Sequence, residues 1–114
     1  MKILFTQTLT LLGKDPKNFN ADVHFVTPDE IRALNLKWRG VDKATGVLSF
    51  PLGEFNPATG KTELGDIVIC RDYAEDLSDE YLYLHGLLHL LGYTHDTDED
   101  EARMDAIIRE VLGL

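Results

Sequence analysis

The chain has 114 residues, 44% of them apolar, which is enough for one core and too few for two domains. Its formal net charge of −9 excludes a nucleic-acid binder that works through a broad positive field. No apolar run approaches the ~18–20 residues that span a membrane, and the single cysteine, Cys70, excludes an intrachain disulfide and a CxxC metal site.

The charge is unevenly placed. Residues 1–62 hold eight Lys/Arg against six Asp/Glu, and residues 63–114 hold three against fourteen, balances of +2 and −11. Contact with RNA would therefore fall to the first half, around Arg32, Lys37, Arg39 and Lys43. The opening MKILFTQTLTLLGKD resembles a signal peptide in its lysine and apolar residues. Thr6, Gln7, Thr8 and Thr10 break the apolar part, and no small-residue cleavage site follows. It reads as part of the fold, and the protein as cytoplasmic.

In chain order, residues 2–12 predict a short helix and residues 13–20 a loop. Residues 21–27, ADVHFVT, alternate as a strand does, with Val23 and Phe25 on one face and His24 and Val26 on the other. His24 is placed on the strand surface and outside the site. Thr27-Pro28-Asp29-Glu30 predicts a helix start, with Thr27 as cap, Pro28 in the first position and Glu30 closing a capping box. Ile31, Leu34 and Leu36 to Trp38 give that helix its apolar side, and it should end between Lys37 and Gly40. A turn-rich connection leads to VLSFP, 47–51, a short buried strand ended by Pro51.

Residues 52–63 read as a polar loop, a lid or a hairpin. LGDIVIC, 64–70, is the clearest strand, and its Ile67-Val68-Ile69 run suits a strand covered on both faces. Cys70 reads as a small buried apolar residue at its end. Asp66 is expected to cap a turn before this strand, with proton transfer or support of a metal ligand as its alternative role. Residues 72–76 predict a charged turn or short helix.

Ser78 can cap the next helix, with Asp79 and Glu80 in its first turn complementing the helix dipole. Leu82, Leu84, Leu87, Leu88, Leu90 and Leu91 cover more than one face, which predicts a central, buried helix. His85 and His89 sit on it one turn apart. Gly92 is suited to end the helix in a left-handed conformation, so that the chain can fold back and bring His95 to the same point. Three converging imidazoles with a fourth position open suit a catalytic zinc, one per chain. The offsets match the ligand skeleton of the metzincin proteases, but Gly86 stands where those enzymes carry their glutamate base. Thr97 then caps a last helix, whose apolar face is Ala102, Met104, Ile107, Ile108, Val111 and Leu112 and which ends at Gly113. The acidic run 98–101 reads as first-turn charge rather than a cation site. The sum is one small α+β domain over residues 1–114. It has a mixed sheet of three or four strands packed with three or four helices, and a metal site on the central helix and the loop after it.

Four phrases in this order, LNLKWRGVDKATGVLSFP, LGDIVIC, HGLLHLLGYTHD and the Glu101–Met104 pair after it, resemble the YbeY family of bacterial metal-dependent endoribonucleases. The resemblance covers about residues 21–114 and implies a mixed sheet with helices. It also implies zinc on His85, His89 and His95 and a functional arginine at Arg39 facing the metal cleft. The implied activity is zinc-dependent cleavage of single-stranded RNA in rRNA processing and ribosome maturation, at the 16S rRNA 3′ end, with the small ribosomal subunit as partner. Zinc would polarise a phosphoryl oxygen and acidify a water, and Arg39 would hold the scissile phosphate. Gly46 and Thr94 depart from the family pattern, which has Asp or Asn and Asp there, and the N-terminus is short enough that an opening strand is expected to be missing. Asp96 is the substitute expected for a carboxylate at 94. Two rival readings follow from the same residues: a zinc metallopeptidase, supported by the ligand skeleton and opposed by Gly86, and a non-catalytic, ribosome-associated metal-binding protein. A structural metal would need a fourth ligand, with His24 or an acidic residue near Asp96 as candidates.

Overall fold

A computed structural model describes residues 1–114, beginning with helix α1 (Lys2–Leu11). A 3-10 turn at Pro16–Asn18 follows inside the expected loop, with Asp15 accepting from the Lys17 amide. Strand β1 covers Phe19–Phe25, helix α2 Pro28–Arg39, strand β2 Val47–Asn56 and strand β3 Lys61–Ile69. Helices α3 (Asp79–Leu90) and α4 (Asp98–Leu112) complete the chain, giving four α-helices and one three-stranded sheet.

Local chemistry sets the helix ends where the sequence places them. Thr27 Oγ1 accepts from the Glu30 amide, and the Glu30 carboxylate accepts from the Thr27 amide, so both halves of the capping box are made. Thr97 caps α4 in the same way, accepting from the Asp100 amide at 3.1 Å. Four acidic residues in the first turn of α4, Asp98 to Glu101, then face the positive end of its dipole.

The sheet departs from expectation at β2. The strand does not stop at Pro51 but runs five residues further, to Asn56. In the strand order β1-β3-β2, β2 is an edge, so the ladder bond that proline cannot donate is not needed on its outer side. A bulge between Pro51 and Glu54 carries the strand onward, with Gly53 at φ +69 absorbing the extra residue. The polar 52–63 segment is therefore a hairpin. Its turn is closed by Asn56, whose Oδ1 accepts from the Ala58 amide and whose carbonyl accepts from the Gly60 amide.

This hairpin also lengthens β3 at its start. Thr62 and Glu63 become partners for Phe19 and Asn20, and β1 begins two residues before the expected Ala21. Asn20 Nδ2 donates to Glu63 at 2.8 Å across this extension. Asp66 lies inside β3, opposite Asp22 and Phe50, and caps no turn.

β3 is the central strand, parallel to β1 and antiparallel to β2, and both of its faces are covered. Ile67 and Ile69 join the main core with Leu84, Leu87 and Leu88 of α3 and Met104 and Ile108 of α4. Val68 joins a smaller core on the other face with Ile31 of α2, Leu48 and the fully buried Cys70. Each fully buried aliphatic side chain contributes about 1.5–3 kcal/mol, so α3, with leucines against the sheet and α4, is held chiefly by this burial. No helix is long and apolar enough to cross a membrane.

Candidate metal centre

Ser78 fixes the start of α3 by accepting from the Tyr81 amide at 3.1 Å, which sets the register of everything on that helix. His85 and His89 then fall on one face, with ring centroids 4.6 Å apart and their Nε2 atoms 3.0 Å apart. α3 ends after Leu90. Gly92 takes φ +96, where its amide donates to the His89 carbonyl and the Tyr93 amide reaches back to the Leu88 carbonyl at 3.0 Å. This reversal brings the His95 ring to 4.9 Å from that of His89 and 5.7 Å from that of His85. One ligating atom from each of the three lies within 4.8 Å of the other two. The structure thus brings together the three histidines that the spacing singles out.

The reversal at Gly92 does a second thing. It turns the Tyr93 carbonyl onto His89, where Nδ1 donates to it at 2.9 Å. A carbonyl can only accept, so the proton of neutral His89 sits on Nδ1 and the Nε2 lone pair faces His85 and the shared point. Burial, reinforced by His89 and His95, holds the His85 pKa down to about 4. Burial also lowers that of His89, with Arg39 among the charges acting in the same direction and the Tyr93 carbonyl opposing. Both imidazoles are therefore neutral at pH 7, the form in which they ligate. A set of three imidazoles whose ligating atoms converge in this way fits a zinc-type cation.

Thr94 does not take the place of the family's carboxylate. Its Oγ1 donates to Asp100 at 3.4 Å, towards α4, and the Tyr93 carbonyl is what orients His89. Asp96 lines the cavity, and its charge favours the protonated form of His89.

Gly86 has a packing reason. A Cβ there would meet Ile67 Cγ2 at 2.6 Å and Ser49 Oγ at 3.2 Å, so α3 lies against the sheet with no room for a side chain. Ser49 Oγ donates to the Gly86 carbonyl at 3.0 Å across this contact. A glutamate at this position would point into the sheet. Gly86→Ala is expected to cost about 1–2 kcal/mol, because the stiff β-branched Ile67 puts overpacking at ~2–3 kcal/mol and the helix preference of alanine offsets ~1 kcal/mol of it. Thermal melts of the two proteins check this, and an unchanged or raised midpoint would contradict the contact. Gly46 is explained similarly. A Cβ there would lie 2.8 Å from the Tyr73 carbonyl, which fills the space an aspartate or asparagine would need.

The histidines open into a cavity of about 560 Å³ at the β2 edge, whose lining includes Arg39, Ser49, Tyr93 and Asp96. Arg39 is exposed at the end of α2 and belongs to none of the molecule's four ion pairs. Arg32, by contrast, is held by Asp42 at 2.7 Å and is not a free cation. His24 and Asp66 lie away from this cavity, hydrogen-bonded to each other at 3.0 Å on the α2 side of the sheet, so neither reaches the three histidines. Sequence reasoning missed Ser49 and the Tyr93 carbonyl. A lone serine inside the apolar VLSFP strand is a signal that points to the first, whereas a backbone carbonyl leaves no signal in residue types.

A family model described as Endoribonuclease YbeY matches residues 2–113. Among relatives carrying that name, one from Thermoanaerobacter sp. (strain X514) is 40% identical over 117 residues, covering 84% of this chain and 74% of its own. One from Staphylococcus saprophyticus is 41% identical over 120 residues, covering 88% of this chain and 78% of its own. A solution structure of a Thermotoga maritima protein superposes with a TM-score of 0.59 at 28% identity, covering 98% of this chain and 79% of that one. A match along nearly the whole chain places it in a family named for an enzyme of RNA phosphodiester cleavage: the chain belongs to the endoribonuclease YbeY family.

Proposed function

We propose that this chain is a metal-dependent endoribonuclease of rRNA processing, one domain over residues 1–114, that hydrolyses phosphodiester bonds in single-stranded RNA. One zinc ion per chain is held by His85, His89 and His95. The observation that carries this reading is the convergence of three imidazoles, with His85 held neutral by burial, beside an unpaired arginine in one open cavity. The family name supports the reaction class. Within this reading the RNA is rRNA under maturation in the cytoplasm, at the 16S 3′ end on the small subunit.

A zinc ion at three imidazoles supplies Lewis acidity towards a phosphoryl oxygen and a nucleophile at neutral pH. The protein's own groups divide the rest. His89, its tautomer fixed by the Tyr93 carbonyl, would hold the ion through Nε2. Arg39 faces the same cavity with its guanidinium free, and its planar fork binds two oxygens of the scissile phosphate and offsets charge that builds there. Asp96 is the one carboxylate lining the cavity and is the group placed to take or return a proton.

The test is metal content by mass spectrometry of untagged protein, followed by incubation with an end-labelled RNA that contains a duplex and a single-stranded tail. About one zinc per chain is expected, with cuts confined to the tail, stopped by chelator and restored by zinc. Metal-loaded protein that leaves every RNA intact would refute the reading. Chelator-sensitive hydrolysis of casein would favour the peptidase instead, against which the absence of room at Gly86 speaks.

A further inference from the structure

The cavity at the histidines does not end there. Arg39, Ser49 and Pro51 line it and also line a second groove of about 970 Å³, between α2 and the far face of the sheet. Trp38 stands on this groove, 62% exposed, and is the only tryptophan in the chain. Its ring meets Phe50 edge-on at 6.5 Å between centroids. Leu52 adds a further exposed apolar surface, and the His24–Asp66 pair lies along the same groove. Lys37 Nζ sits 5.0 Å from the centre of the Trp38 ring, and Arg39 follows Trp38 directly.

We propose that this groove holds a nucleobase of the RNA strand next to the phosphate at Arg39, stacked on Trp38 and flanked by Phe50. The inference rests on the endoribonuclease reading and assigns Trp38 as a substrate-positioning residue. An exposed indole between two cations is the chemistry of single-strand recognition, because every base has a face to stack and every nucleotide a phosphate to neutralise. The charge pattern agrees. In a chain of net charge −9, Arg39 stands where the strand would pass from one cavity to the other, and Lys37 lies over the Trp38 ring. Continuity through Arg39 sets the geometry, one phosphate on the histidine side and the adjoining base on the α2 side. Single-strand preference then follows from this chain's own surface, since a base inside a duplex has no free face to offer Trp38.

Trp38 emission reports the contact directly. A short single-stranded oligoribonucleotide titrated into the His89→Ala protein, whose groove is unaltered, is expected to quench emission to saturation. A duplex of the same sequence should leave it near its starting value. In the metal-loaded enzyme, Trp38→Ala is expected to raise KM about 10- to 100-fold with kcat changed less than about twofold, and Trp38→Phe to restore most of the loss. Quenching by duplex as strong as by single strand, RNA that binds by anisotropy without quenching, RNA that fails to bind, or a Trp38→Ala enzyme with unaltered KM would each overturn the proposal. If the wild-type protein cleaves no RNA, the endoribonuclease reading fails on that result, while the titration still decides whether a base sits on Trp38.

Discussion

Replacing His89 by alanine is expected to remove the metal and lower RNA cleavage by more than about 100-fold. Loss of a partner that merely orients a ligand costs ~10–100-fold at metal sites, and here the ligand itself goes. His89 is the right member to remove. Its ring is nearer to each of the other two than they are to each other, 4.6 Å from that of His85 and 4.9 Å from that of His95 against 5.7 Å, and it alone of the three has its tautomer fixed, by the Tyr93 carbonyl. Two remaining imidazoles, one of them on an exposed loop, make a poor site. The fold should survive, because His89 is only half-buried and the core leucines of α3 are untouched. Metal content, RNA cleavage and the circular dichroism spectrum would be measured together. Full cleavage in a metal-free variant would sink the metal-dependent reading, and a full zinc complement in the variant would remove His89 from the ligand set.

The parts of this molecule legible in the sequence are those decided by neighbours along the chain. The Thr27–Glu30 capping box, the Ser78 and Thr97 caps and the His85-His89-Gly92-His95 spacing all act within ten residues, and each appears in the structure where its residues place it. The illegible parts depend on a partner distant in sequence. Residues 52–56 and 61–63 are polar and look like loop, but each supplies the other with backbone bonds, and β1 gains Phe19 and Asn20 as a consequence. Pro51 halts a strand only when both edges must donate, and whether β2 is an edge cannot be read from β2 itself.

Glycines 46 and 86 show the same limit in the site. As letters, one reads as a lost polar contact and the other as a lost general base. In three dimensions each is a place where backbone and side chains approach too closely for a Cβ, Tyr73 at one and Ile67 at the other. The departure at 46 is thus coupled to the path of the 71–73 turn. At 86 the helix trades a side chain for direct contact with β3, which holds His85 and His89 at a fixed height above the β2 edge. The missing base is a result of that packing, and it leaves Arg39 and Asp96 as the charged side chains on the cavity wall beside the histidines.

Arg39→Ala is expected to lower kcat by about 10²–10³-fold, the usual cost of removing one preorganised donor aimed at developing charge. Metal content should stay at the wild-type level, because Arg39 is no ligand and bridges to no carboxylate. Arg39→Lys should recover part of the rate, since a point charge survives but the two-pronged geometry does not. A second readout separates this role from a merely structural one. The Arg39 charge helps to hold the His89 pKa down. Without it the protonated form of His89 becomes easier to reach, so in the metal-free protein His89 should take up its proton at a higher pH in Arg39→Ala than in the wild type. The His89 ring resonances followed against pH by NMR in both metal-free proteins measure that shift. A variant with full kcat and an unmoved titration would show that Arg39, for all its position on the cavity wall, neither holds the phosphate nor acts on the histidines.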